Sequence, residues 1–158
     1  MAVEIERKFL VTGTAWKQTP GVVYRQGYLN RDKARTVRVR VAGDAAFLTI
    51  KGQSVGATRA EFEYPIPLAD AQALLAISDG PLIEKTRHVL TVDGTVWEVD
   101  VFAGDNAGLV VAEVELASED QAFARPDWLG VEVTQDTRYF NSNLATHPYC
   151  HWGAKGEP

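Results

Sequence analysis

Val3-Glu4-Ile5-Glu6-Arg7-Lys8-Phe9-Leu10-Val11 opens the chain with a period of two. In an extended strand, successive side chains point to opposite faces. Val3, Ile5 and Phe9 therefore share one face, and Glu4, Glu6 and Lys8 share the other, with Arg7 a lone charge on the apolar side. The same alternation recurs over residues 22–29, 35–41, 46–52, 58–66, 83–92, 95–102 and 110–116. Turn signals such as Ala42-Gly43-Asp44 and Val92-Asp93-Gly94 separate them. About eight strands result.

Helical spacing is scarce. Residues 67–76 carry apolar side chains at helical intervals behind Pro67, a good first-turn residue. Ser118-Glu119-Asp120 offers a capping residue and early acids, which predicts a second helix after Leu116. A short third helix is expected near 141–145, and a frayed tail from about residue 148. The fold class is α+β, mostly antiparallel β. Eight strands can close into a barrel, which removes exposed edges, with the few helices packed outside. At 158 residues, without repeats or linkers, one domain spanning 1–158 is expected.

The formal charge of -5 gives little attraction for nucleic-acid backbones. No stretch approaches the roughly 18 apolar residues of a membrane helix, and no apolar segment follows the acidic start as a secretory signal would. Cys150, the single cysteine, has no partner for an internal disulfide, which fits a cytoplasmic location. No nucleic-acid or membrane partner is expected. A homodimer is compatible with everything above.

The charges are sorted by strand. Glu4, Glu6 and Lys8; Arg38 and Arg40; Lys51; Arg59, Glu61 and Glu63; Lys85 and Arg87; Glu98 and Asp100; Glu113 and Glu115 each keep period two. Like charges about 6.6 Å apart repel by about 0.6 kcal/mol in water and by about 2.5 kcal/mol at an effective dielectric near 20. One reading makes these the wet outer faces of a sandwich. The other makes them the lining of a shared site, where carboxylates hold hard divalent cations and Arg and Lys hold phosphate oxygens. Sorting by strand favours the second. Oxygen-only candidates favour Mg²⁺ or Mn²⁺ over zinc.

The opening Glu4-Ile5-Glu6-Arg7-Lys8 resembles the N-terminal Glu-x-Glu-x-Lys signature of the CYTH superfamily, the triphosphate tunnel metalloenzymes. Gln26-Gly27-Tyr28-Leu29, Val37-Arg38-Val39-Arg40, Thr49-Ile50-Lys51, Arg59-Ala60-Glu61-Phe62-Glu63, Glu84-Lys85-Thr86-Arg87, Trp97-Glu98-Val99-Asp100, Glu113-Val114-Glu115 and Thr137-Arg138-Tyr139 follow in the family's order. The resemblance implies an eight-stranded antiparallel tunnel holding a small-molecule triphosphate. By that resemblance Lys8, Arg38, Arg40, Lys51, Arg59, Lys85, Arg87 and Arg138 bind phosphate. Glu4, Glu6, Glu113 and Glu115 would carry two Mg²⁺ or Mn²⁺ ions, with Glu61, Glu63 and Asp100 as further ligands or as partners of the bases. Asn143 stands where some relatives carry a lysine.

The expected chemistry is metal-dependent hydrolysis of inorganic triphosphate. Lys85 would stabilise developing phosphate charge, and Glu4 or Glu6 would accept the proton of the attacking water. The opening looks closest to compact bacterial inorganic triphosphatases. A class IV-type adenylyl cyclase, a thiamine triphosphatase and a non-catalytic polyphosphate- or nucleotide-binding module are the alternatives. His147, Cys150 and His151 lack the paired spacing of a zinc site. His88 falls on the face opposite Lys85 and Arg87, which suits packing. Trp16, Trp97, Trp128 and Trp152 read as packing residues rather than a base-stacking platform.

Overall fold

The computed structural model describes residues 3–152. Eight antiparallel strands close on themselves: β1 (Val3–Val11), β2 (Gly21–Asn30), β3 (Arg35–Ala42), β4 (Ala45–Gly52), β5 (Thr58–Pro65), β6 (Asp79–Val92), β7 (Thr95–Phe102) and β8 (Val110–Glu115). The spatial order is β5-β4-β3-β2-β6-β7-β8-β1, and pairing of β5 with β1 completes the ring. That closing seam is short. Only Val3, Glu4 and Ile5 face β5, while Glu6 to Leu10 run opposite β8.

A ninth strand, β9 (Leu129–Glu132), pairs with β1 at Phe9 and Val11, beyond the point where β5 leaves off. The alternation does not anticipate it. Its role is legible at Arg7, whose guanidinium makes a two-point contact with Glu132 at 2.6 and 2.8 Å and lies 5.1 Å from the Phe123 ring centre. The lone charge on the apolar face is thereby paired.

The barrel is inverted: apolar side chains sit outside the wall and charges inside. Phe9, Trp97, Val99, Ala112 and Val114 are buried on the outer face beneath Phe123 and Trp128. The Trp97 ring lies 5.6–5.7 Å from those of Phe9, Phe123 and Trp128, each edge to face. Such pairs each add roughly 0.5–1.5 kcal/mol beyond area burial. On the opposite flank α1 (Leu68–Ala76) seats Ala71 and Leu75 on Val39 and Ala46. Gly27 lets β2 pass under the end of that helix, because a Cβ there would fall 2.6 Å from the Ser78 hydroxyl.

No helix begins directly after Leu116. Residues 117–128 are irregular, which corrects the expectation drawn from Ser118-Glu119-Asp120. Ser118 Oγ donates to Asp120 and, among the described residues, accepts from no helical N–H, and Glu119 turns away to accept from the Thr58 hydroxyl and the Ala57 N–H. Pro126 also keeps Arg125 out of helical conformation, leaving too few residues for a stable helix. Phe123 covers the barrel from within this irregular stretch. The third helix forms as α2 (Asn141–Leu144).

The predicted fraying from residue 148 is corrected as far as residue 152. Tyr149–His151 make a turn of 3-10 helix, and Trp152 is buried edge-on to Tyr139 and Tyr149 at 5.0 Å. Residues 153–158 lie outside the described residues. Leu144, Tyr139, Val133 and Trp152 meet Ile83, Phe102 and Val111 in one apolar cluster. Those last three share the inward register of Lys85, Asp100 and Glu113, so the inner face changes from charged to apolar at this end, where the C-terminal segment fills it.

Candidate active site

Above that apolar fill lies a lumen of about 290 Å³. Seven basic side chains (Lys8, Arg38, Arg40, Lys51, Arg59, Lys85, Arg87) and seven acidic ones (Glu4, Glu6, Glu61, Glu63, Glu98, Glu113, Glu115) line it. They come from seven strands, and each is placed by strand alternation alone: β1 supplies 4, 6 and 8, β3 supplies 38 and 40, and β8 supplies 113 and 115. Neither sign of charge alone would tolerate this enclosure. The Coulomb cost of like neighbours is offset by pairing across strands.

Lys51 Nζ lies 3.1 Å from both Glu4 oxygens and 3.5 Å from Glu61, and Arg59 reaches Glu4 at 3.3 Å. Burial alone would raise Glu4, but Lys51 and Arg59 outweigh it and hold its carboxyl below the usual range. Glu113 is held low in the same way against its burial, by Lys8 at 3.5 Å and Arg87 at 3.4 Å. Arg87 also reaches Glu98 at 3.3 Å, and Arg38 reaches Glu63 at 3.6 Å.

Asp100 stands one layer behind the lumen surface. Lys85 Nζ donates to it at 2.6 Å and Arg87 grips it at 2.7 and 2.9 Å, so both its oxygens are engaged by bases. Its burial is outweighed by those two cations, which keep it ionised far below its usual range. Burial pushes Lys85 down to about 7 despite Asp100, with Arg87 and Arg40 adding to the fall.

The cationic wall is not fully compensated. Arg40 has no carboxylate within 4.0 Å among the described residues; it donates to Gln26 Oε1 at 2.9 Å and stacks on Tyr24, as Arg87 does, each 4.8 Å from the ring centre. Burial, Arg38 and Arg87 push Arg40 down to about 10. Arg38 Nε and Gln26 Nε2 are buried donors lacking a partner among the described residues. A buried donor left unmade costs roughly 1–3 kcal/mol, so this wall is built to receive acceptors.

The acids split into two groups. Glu4, Glu61, Glu63, Glu98 and Glu113 are turned onto bases, whereas Glu6 and Glu115 face each other across the β1–β8 register with no paired base among the described residues. Burial and the charges of Glu113 and Glu4 raise Glu6 to about 8, and burial with Glu4 and Glu61 raises Glu115. Oxygen-only donors crowded by like charge fit a hard divalent cation, whose binding would relieve that repulsion. Among the described residues, no three carboxylates already converge on one point.

Of the predicted residues, Arg138 alone stands apart from this cluster, paired with Asp136 at 2.6 Å and lying 4.9 Å from the Trp152 ring centre. Asn143 receives Lys33 Nζ at 2.6 Å, so a lysine does reach this spot, from the β2–β3 turn. Glu98, which the alternation placed on the lining without a specific role, lines the lumen, as do Tyr24, Tyr28, Phe140, Asn141 and Ser142, to which sequence reasoning assigned no site role. Period two on β2 could have found the two tyrosines. His88 packs outside, accepting or donating at Thr19, beside Trp16.

The sequence pattern of the CYTH domain matches residues 2–149. The chain belongs to the CYTH family. An inorganic triphosphatase of Acetivibrio thermocellus is 51% identical over 151 residues, covering 94% of this chain and 97% of that protein. The inorganic triphosphatase of Nitrosomonas europaea is 42% identical over 146 residues, covering 90% and 96%. A solved crystal structure of an inorganic triphosphatase aligns with a TM-score of 0.67 at 41% identity, covering 92% of this chain and 95% of that one. The family match and the structural alignment both extend over nearly the whole of the closed barrel.

Proposed function

We propose that this CYTH chain hydrolyses inorganic triphosphate in its lumen, with a divalent cation. The observation that carries the reading is the uncompensated cationic wall, in which Arg40 lacks an acid and Arg38 Nε lacks an acceptor among the described residues. Phosphate oxygens supply acceptors and negative charge in a small volume. The relatives named inorganic triphosphatase, alike over nearly their whole length, support the same substrate.

Phosphoryl transfer asks a protein mainly for positioning and for charge set against the phosphate oxygens. Arg38, Arg40, Arg87, Lys8, Lys51 and Arg59 would divide that task around the lumen. Lys85, seated between Asp100 and the lumen, would stabilise charge on the transferred or leaving phosphate. Glu6, poised near neutrality, is the better of the first two acids to accept the proton of the attacking water, because Glu4 is already committed to Lys51 and Arg59. Glu6, Glu115, Glu4 and Glu113 would hold Mg²⁺ or Mn²⁺, which when bound neutralises phosphate charge and lowers the pKa of water. Glu61 and Glu63 would orient Lys51 and Arg38. Asp100 is a positioning residue for Lys85 and Arg87.

Phosphate release from tripolyphosphate, measured with and without Mg²⁺ or Mn²⁺ beside cyclic AMP formation from ATP and thiamine triphosphate cleavage, tests this. Metal-dependent release, fastest with tripolyphosphate, is expected. Cyclic AMP as the main product, or preference for thiamine triphosphate, would replace the reading, and tight binding without turnover would leave a binding module.

A further inference from the structure

Phe140 lines the lumen and also a second cavity of about 250 Å³ beyond it. Arg59 is likewise shared by both, so the two spaces are contiguous. Three cations surround the Phe140 ring: Lys8 at 5.6 Å, Lys33 at 5.8 Å and Arg59 at 5.9 Å from its centre. The lumen sets acids among its bases, but the second cavity does not. Lys33 and Arg59 line it with Ser54, Gln135 and Thr137, and no carboxylate among the described residues does.

Lys33 is fixed in place by neutral groups. Its Nζ donates to Ser142 Oγ at 2.8 Å and Asn143 Oδ1 at 2.6 Å, and among the described residues no acid lies within 4.0 Å of it. Burial and the nearby Arg59 and Arg31 lower its pKa, so it stands in a field of like charge. A half-buried lysine held by two neutral acceptors, beside a polyanion-sized lumen, keeps its charge free for a ligand. Hydroxyl and amide donors around it complete a phosphate-sized set of contacts.

We infer that this cavity is a second anion subsite, centred on Lys33, which takes one phosphate group next to the triphosphate lumen. The inference rests on the triphosphatase reading. The phosphate has two chemical sources: the overhanging end of a linear polyphosphate longer than three, or free orthophosphate leaving the lumen.

Lys33→Gln keeps a hydrogen-bond donor toward Asn143 while removing the charge, and Lys33→Glu reverses it. With Lys33→Gln, kcat/KM for tripolyphosphate should stay within about twofold, because Lys33 lies outside the lumen. An overhang source predicts that KM for tetrapolyphosphate rises by about fivefold or more. A free-phosphate source predicts the same factor in the inhibition constant of orthophosphate. Lys33→Glu should exceed Lys33→Gln in whichever arm responds. Both arms unchanged, or an equal loss with tripolyphosphate, overturns the subsite. If the chain turns over no tripolyphosphate, calorimetric binding of tri- and tetrapolyphosphate to the wild-type and Lys33→Gln proteins reads the subsite separately: a selective loss for tetrapolyphosphate supports it, and equal binding sinks it.

Discussion

At the scale of single residues, Asp100 has the greatest consequence for its size. It compensates Lys85 and Arg87 at once, so removing its charge leaves two buried cations facing each other. Asp100→Asn should cost about 3 kcal/mol in denaturant unfolding of the ligand-free protein. Lys85→Ala should behave differently, since Asp100 keeps its two-point contact with Arg87. Its turnover should fall by about 100-fold or more while its thermal midpoint moves little, and unchanged turnover in the folded variant would remove Lys85 from the mechanism.

Glu6 makes the metal-free protein pH-sensitive. Its folded pKa, about 8, is raised above the ordinary 4.5, so its contribution to stability is complete below 4.5 and is lost as pH rises through 8. Metal binding needs the ionised carboxylate, so apparent metal affinity should strengthen across the same window. Calorimetry in buffers of different ionisation enthalpy should find protons released on metal binding at about pH 7 and few at about pH 9. Proton release independent of pH would contradict the assignment of Glu6.

At the scale of elements, alternation along the chain accounts for most of the architecture, because residues 4, 6 and 8 cannot leave the face that 5 and 9 avoid. The same parity places Arg38 with Arg40 and Glu113 with Glu115. Three elements escape it. β9 has only four residues and no period of its own to read; it forms because Arg7 and Phe9 need cover. The helix expected after Leu116 rests on a local capping signal, but Glu119 finds its partner 61 residues away at Thr58. Phe140, Asn141 and Ser142 line the lumen through tertiary placement of a plug, which no strand period reports. Covering elements should matter for stability alone: Leu75→Ala on α1 is expected to cost about 2–5 kcal/mol while kcat per folded molecule holds. A matching fall in kcat would mean that α1 shapes the lumen.

At the scale of the whole molecule, the lumen stores repulsion that a polyanion and a cation relieve together. Tripolyphosphate without metal, at about 100 times its Kd, should raise unfolding free energy by about 2.7 kcal/mol, read as a shift in the denaturation midpoint. Arg38→Ala with Arg40→Ala should abolish that shift; persistence would place the anion elsewhere. The wall also keeps two ledgers on one ribbon. Above the apolar fill, one parity faces the aromatic and aliphatic exterior and the other faces water and ligand. Lining positions can therefore be rewritten, charge for charge, without disturbing the packing that keeps the cylinder shut, so a new anionic cargo is reached by redecorating the bore rather than rebuilding the pipe.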